Sequence, residues 1–464
     1  MAVTEVIASH EEKRLREFYQ IHRRNVADAL AYISAYDKKP GRVTAVALGM
    51  EKGGLVVWIA ANQTVDPEVE NFLTIVLGRL DKIARGDESE CDRFVDYVLE
   101  FNWKKVQIYH SKFRGSWARY CESHPPTGHN ILQKLESWVQ GTFPKDGEKQ
   151  QENMVNLARK CHEERKRHGG VFDMLKEAST QGIMSPEMHD QLRNLLHKVG
   201  KHITLCRKLI HARKSLSEDF KYGAVVKPIK VSPRRPDTTE RDYSFDNITN
   251  RIFRNESEKQ TFYHHVNQFY DRDMASEKLQ TYANSPRFRV HAEIQLISYF
   301  DTNGTPLLEE GNPYIGCSKP ACYLCYKYIT DHPRQWFQPP SHQKLYYAWS
   351  LPKPHGKENR AEFLATTTEV LQRKLREDIA KKRGQRSVCD DSTAGVTSVL
   401  RTGGMKREEY ANPRLTSEKA VVAGNAGIVS RRALRVVVGG AEGIGKPDHD
   451  DDDDDEGGGG VRLL

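Results

Sequence analysis

No apolar run in this 464-residue chain is long enough to span a bilayer; the longest, Val43–Met50 and Leu55–Ala61, fall far short. The first residues, MAVTEVIASHEEKRL, lack a basic segment followed by an apolar one, so no secretory signal is expected. Cysteine is scarce, with eight residues, too few for a disulfide framework at this length. Three of the eight fall between Cys317 and Cys325, which points to metal binding in a reducing compartment, cytoplasmic or nuclear. No internal repeat is visible. A working phosphate loop is also missing. Gly440–Lys446 (GAEGIGK) begins like one, but Pro447 stands where Ser or Thr is needed, and aspartates follow instead of a helix.

What is present is basic charge. The net charge of +8 includes a stretch, Glu442–Glu456, with roughly eight excess negative charges, so the rest is near +16. A basic body attracts phosphate-bearing ligands, nucleic acid or acidic partners, or it only solvates helix faces. The clusters Arg159–His168, Arg207–Lys214 and Lys227–Arg235 are where a nucleic-acid strand would be guided.

The apolar pattern changes along the chain. Glu11–Tyr36 has helical spacing. Val43–Met50 and Leu55–Asn62 are β-branched and apolar, joined by Glu51-Lys52-Gly53-Gly54, a hairpin turn. Helices are expected at Val69–Ala84, Glu90–Phe101, His129–Gly141, Glu152–Arg167, Val171–Ala178 and Pro186–Ser215. Val226–Pro236 reads as a proline-punctuated basic connector, and Ser244–Tyr282 as helical. Then come a short strand at Arg287–Val290, a helix at His291–Phe300, a strand at Tyr314–Cys317, a helix at Ala321–Asp331, a strand at Lys344–Leu351 and a helix at Asn359–Arg383. Beyond Gly384 the Ser, Thr, Gly and Asp clusters predict a disordered tail with an acidic run. The expected units are 1–40, an N-terminal helix; 41–64, the first hairpin of the core; 65–285, a helical insertion; 286–383, the metal-binding core; and 384–464, the tail.

The chain has one Cys-x-x-Cys, Cys322-Tyr323-Leu324-Cys325. Residues three apart share a helix face, so both sulfurs can reach one ion. Ser318 is placed to cap that helix and Pro320 suits its first turn. A helix start also favours the thiolate. His-x-Glu occurs at His10, His162 and His291. The first two lie in polar helical stretches, where surface positions are expected. His291-Ala292-Glu293 follows a strand and opens an apolar helix. Two residues apart is about 200° around a helix, so both side chains converge on a metal only at a helix start. His291, Cys322 and Cys325 are therefore the candidate ligands of zinc, with a fourth position open for water.

H-x-E followed by C-x-x-C is the pattern of zinc nucleobase deaminases. The stretches VHAEIQLISYF, YIGCSKPACYLC and HQKLYYAWSLP resemble a fungal family of deaminase-like proteins in the cytidine deaminase-like superfamily. The resemblance covers about 290–352 and extends more weakly to the hairpin at 43–62. It implies a three-layer α-β-α core, with the hairpin as its first two strands and the helical stretch inserted after them. It also implies hydrolytic deamination of a nucleobase in a nucleotide or nucleic acid, including RNA or single-stranded DNA. Zinc would acidify a bound water, and Glu293 would move protons without being a ligand. Two departures stand out: Ala321 occupies the usual proline position before the first cysteine, and no fifth strand is evident.

Other readings stay open. Cys317 can close a structural Cys₃His site, or pack as a small apolar residue. His291 can be a core histidine beside an accidental cysteine pair. The chain can be a catalytically inactive zinc-binding module whose helical region binds a protein or nucleic acid. By resemblance Asn62 would contact a ribose; as a plain residue it is a polar strand end. Trp349 is a candidate to stack on a base, as are Tyr314, Trp336 and Phe337, although strand aromatics usually belong to a core.

Overall fold

The computed structural model describes residues 2–145, 150–230, 244–267, 271–283, 288–309, 311–346, 348–352, 360–380 and 460–462. In chain order they form α1 (Ala2–Ser34), β1 (Thr44–Glu51), β2 (Gly54–Ala61), α2 (Pro67–Ala84), α3 (Glu90–Phe101), α4 (Trp103–Ser123), α5 (Asn130–Thr142), α6 (Gln151–Glu163), α7 (Val171–Thr180), α8 (Pro186–Val199) and α9 (Lys201–Ser215). There follow β3 (Ala224–Ile229), α10 (Phe245–Ile252), α11 (Glu256–Val266), α12 (Arg272–Ala283), α13 (Ala292–Asn303), β4 (Gly316–Cys317), α14 (Tyr323–Asp331), β5 (Lys344–Tyr346), α15 (Arg360–Ala380) and β6 (Gly460–Arg462). The chain is mixed α/β, rich in helix, with a small sheet.

The sheet grows from the hairpin. Lys52 (φ 48°) and Gly53 (φ 83°) are both left-handed, as a two-residue turn matched to strand twist requires. β1 and β2 pair antiparallel from Glu51↔Gly54 to Thr44↔Ala61. β4 adds antiparallel to β1, and β3 adds parallel to β2, giving the spatial order β3-β2-β1-β4. The expected connector at Val226–Pro236 is thus partly a strand. Pro228 is tolerated because β3 lies at the sheet edge; 231–236 lie outside the described residues. Lys344–Tyr346 does not join this sheet but pairs with Gly460–Arg462. The strand expected at Arg287–Val290 reduces to a bridge between Arg289 and Trp349.

Successive strand side chains point to opposite faces, and here both faces are covered. Val46, Leu48, Leu55, Val57 and Ile59 join one core with α1 and the helical layer. Ala45, Ala47, Val56, Trp58 and Ala60 join a second core with α13 and the cysteine helix. Helices thus cover both faces of the sheet. The last turns of α1 belong to the first core: Ala29, Leu30, Ala31 and Ile33 are all fully buried. Helix α1 lies so close to β4 that a Cβ on Gly316 would sit 2.3 Å from the Ala27 carbonyl carbon.

Three details of the helical layer differ from expectation. α4 was not anticipated, although Val106, Tyr109, Phe113, Trp117 and Tyr120 form its buried stripe; aromatics among lysines and arginines weakened the apolar pattern. Pro186–Ser215 is two helices, divided at Gly200, where a Cβ would meet the His162 backbone at 3.0 Å. His162 is half-buried, near the Thr204 hydroxyl at 3.3 Å, and is not a surface residue. Beyond Ala380 only Gly460–Arg462 is described, so the disordered tail and the GAEGIGK stretch lie outside the described residues. No helix among the described residues is long and apolar enough to cross a membrane.

Candidate metal centre

Two helix starts meet at the site. His291 occupies the N-cap position of α13, with extended backbone (φ −66°, ψ 154°), so its ring stands ahead of the first turn. Cys322 occupies the N-cap position of α14, and its sulfur accepts the Cys325 N–H at 3.4 Å. Ser318, expected to cap this helix, instead accepts the Thr44 N–H at 3.0 Å and ties the approach loop to β1. The positive ends of both helices favour negative charge where they converge.

His291 Nδ1 lies 3.5 Å from Cys322 Sγ and 3.4 Å from Cys325 Sγ. Ligands at ordinary Zn–S and Zn–N lengths on a tetrahedron are separated by about 3.6 Å, so these separations suit one small ion. The three donor atoms lie within 4.8 Å of one another and form the one such group of His, Cys, Asp or Glu found among the described residues. Two thiols and one imidazole are a donor set for zinc. Cys317 is not in the group; its thiol donates to the Ile315 carbonyl at 3.8 Å, and burial pushes its pKa well up. An ion held by these three donors would have a fourth position open, as catalytic metal sites do and closed structural ones do not.

Glu293 is 4 % exposed, in the first turn of α13, with Oε2 3.9 Å from Cys325 Sγ. Burial raises its pKa above the ordinary carboxylate range, and the charge of His291 opposes the shift. Of the cysteines, Cys322 is held well below the usual thiol range. Burial works against it, but the hydrogen bond from Cys325 and the charge of His291 outweigh burial. Cys325 moves the opposite way, through burial and its thiolate neighbour.

Asn62 makes two bonds that tie elements together. Its Oδ1 accepts the Ala292 N–H at 2.9 Å and its Nδ2 donates to the Pro40 carbonyl at 2.9 Å. The His291 side chain makes no cap bond to its own helix, and Asn62 supplies that acceptor from the end of β2. Gln295, not among the expected site residues, donates to the carbonyls of Ala61 (2.6 Å) and Val290 (2.9 Å) and locks α13 to the same strand end. Its signal was there: one amide within AEIQLISYF, on a helix whose every early residue is buried.

Trp349 does reach the site, through its nitrogen: the indole N–H donates to Cys325 Sγ at 3.3 Å. Tyr314 lies elsewhere, its hydroxyl donating to the Asp28 carboxylate at 2.8 Å. Trp336 is core, and Phe337 lies under the Arg24 guanidinium at 3.8 Å. Tyr346, whose ring meets the His291 ring at 5.8 Å, stands at the half-buried side of the site. Part of the basic clusters is engaged within the fold, while Lys160, Lys166, Arg207, Lys214 and Lys230 are exposed and 231–235 lie outside the described residues. Arg159 pairs with Asp96, Arg165 donates to Thr204 and the His197 carbonyl, Arg213 pairs with Asp81, and Lys227 pairs with Glu51.

Comparison with known proteins meets this geometry. A protein-family model described as an OTT_1508_deam-like deaminase matches residues 290–353. Neither the curated proteins nor the solved structures gave a match to the chain. The matched residues include His291, Glu293, Cys322, Cys325 and Trp349. Residues 290–353 are thus similar to a deaminase-family domain, and that domain holds a His/Cys/Cys group able to bind a metal.

Proposed function

We propose that residues 290–353 carry a zinc-dependent hydrolytic deaminase site of the cytidine deaminase-like kind, acting on a nucleobase in a nucleotide or nucleic acid. The observation that carries this reading is the convergence of His291 Nδ1, Cys322 Sγ and Cys325 Sγ beside a buried, non-ligating Glu293, within a stretch matched by a deaminase family model. Zinc, when bound, supplies a Lewis acid that brings a water's pKa towards neutrality.

The remaining roles fall to the chain. His291 and the two cysteines hold the ion and leave one side open. Glu293, kept out of water and raised above its ordinary range, takes the proton of the attacking water. It passes that proton to the ring nitrogen next to the amine-bearing carbon, then takes the proton of the newly added hydroxyl and delivers it to the departing amine, which leaves as ammonia while the carbonyl forms. Asn62 and Gln295 hold α13 against β2, so that His291 and Glu293 keep their relation. The competing reading is an inactive zinc-binding module; burying a carboxylate beside the ligands costs free energy that such a module has no reason to bear.

The test measures zinc content and ammonia release with nucleosides, nucleotides, RNA and single-stranded DNA, for the wild type and Glu293→Ala. The expected outcome is about one zinc per chain in both proteins, with release from at least one substrate falling about 10²–10⁴-fold in the variant. Zinc in both proteins and ammonia from neither would favour the inactive module. A wild type without zinc, unchanged by Cys322→Ala, would remove the metal centre.

A further inference from the structure

The two ligand sulfurs are not alike in what surrounds them. Cys322 Sγ receives the backbone N–H of Cys325, a donor that does not depend on a side chain. Cys325 Sγ stands 3.9 Å from Glu293 Oε2, so as a thiolate it faces a second acid. Its N–H donor comes from a side chain, the Trp349 indole at 3.3 Å. That indole is held in place from both sides: the Arg289 N–H donates to the Ala348 carbonyl at 2.8 Å, and the Ser350 N–H donates to the Arg289 carbonyl at 2.8 Å. Trp349 is thereby stitched to the residue two before His291, and it is 9 % exposed.

We infer that Trp349 is a positioning residue of the metal centre, its indole N–H withdrawing charge from the Cys325 thiolate and fixing the sulfur's direction. The inference rests on the zinc reading above. The physical reason is charge balance. Two thiolates cancel the charge of a divalent ion, so the centre polarises water less than one held by neutral ligands alone. A hydrogen bond to a thiolate draws electron density off the sulfur and returns Lewis acidity to the ion. It also offsets the Glu293 carboxylate, which in the base form the reaction requires would otherwise repel Cys325. Trp349 thus acts through Cys325 and has no need to touch substrate.

The experiment uses the full chain loaded with cobalt(II) and, separately, with zinc, comparing the wild type with Trp349→Phe, which keeps the buried ring and deletes the N–H. The thiolate-to-cobalt charge-transfer bands are expected to move to lower energy, because an unbonded sulfur lone pair lies higher. Zinc affinity is expected to fall about 10–100-fold. On an identified substrate kcat falls while KM holds, and the acid-to-base step of the pH profile attributed to bound water moves to higher pH. Should Trp349→Phe fold poorly, the wild-type protein answers alone. Loaded with a spin-active cadmium isotope, its Trp349 indole proton is expected to show a scalar coupling to the metal, carried through N–H···S. Unshifted bands with affinity within twofold of wild type, or a missing coupling in cadmium-loaded protein, overturn the inference and leave the zinc reading standing. A wild type that takes up none of the three metals overturns both.

Discussion

At the scale of single residues, the site is defined by commitments that remove freedom. His291 cannot cap the helix it opens, because its ring is turned to the sulfurs, so Asn62 supplies the acceptor from another element. Asn62→Ala should cost about 1 kcal/mol of stability, the usual worth of a lost cap. It should also weaken zinc binding, because α13 loses its tie to β2. A denaturant midpoint and a competitive zinc titration check the two effects. An unchanged zinc affinity would mean that Gln295 alone positions the helix. The ligand set itself was readable from spacing: one Cys-x-x-Cys, and one His-x-Glu opening an apolar helix. The contacts of Asn62 and Trp349 were not, because an asparagine at a strand end and a tryptophan in a short strand are compatible with many partners. Their bonds, to Ala292 and Cys325, span sequence separations of 230 and 24 residues.

At the scale of elements, the site depends on how closely α1 approaches β4. Gly316 touches the backbone of Ala27 and Asp28, and the strand continues into Cys317, Ser318 and the loop towards Cys322. Gly316→Ala puts a methyl group where backbone stands and should destabilise by about 3 kcal/mol through overpacking. Urea unfolding of the variant is the check; a midpoint equal to wild type would mean that α1 yields without cost. The elements with strict period were legible, among them the hairpin and the helices at Glu90–Phe101 and Val171–Thr180. β3 was hidden because two of its six residues, Lys227 and Pro228, disfavour strand, and pairing with β2 overrides that preference. β4 and β5 fall within the strands expected at Tyr314–Cys317 and Lys344–Leu351 but are shorter, at two and three residues, because only those residues find a pairing partner.

At the scale of the whole molecule, the helical layer and the sheet share one core, so the helices are not an appendage to the site. That layer holds His162 and His197, both lowered to about 4, chiefly by burial and then by the charge of Arg165. The folded state keeps them neutral, while the unfolded chain protonates them near the ordinary 6.5. Their contribution is therefore complete above about 6.5 and is lost as pH falls towards 4. Asp28, buried and raised to about 6, acts in the opposite sense over part of that range. Replacing His162 and His197 together by asparagine should flatten the acid side of a stability-against-pH curve measured by urea unfolding between pH 4.5 and 7. A curve as steep as wild type would show that neither histidine is buried as a neutral ring.

Sequence alone determined the chemistry on offer: which residues could hold a metal, that a carboxylate stands two residues after the histidine, and that a hairpin exists far upstream. These follow from local spacing and from turn and helix-start preferences, which act over a few residues. Only the tertiary structure decided that Asn62 caps a helix more than two hundred residues away, that the Trp349 indole meets a sulfur, that Cys317 stands apart, and that Arg159, Arg213 and Lys227 are held in ion pairs within the fold. Each outcome depends on which distant surfaces pack together, and packing is settled by the whole core at once.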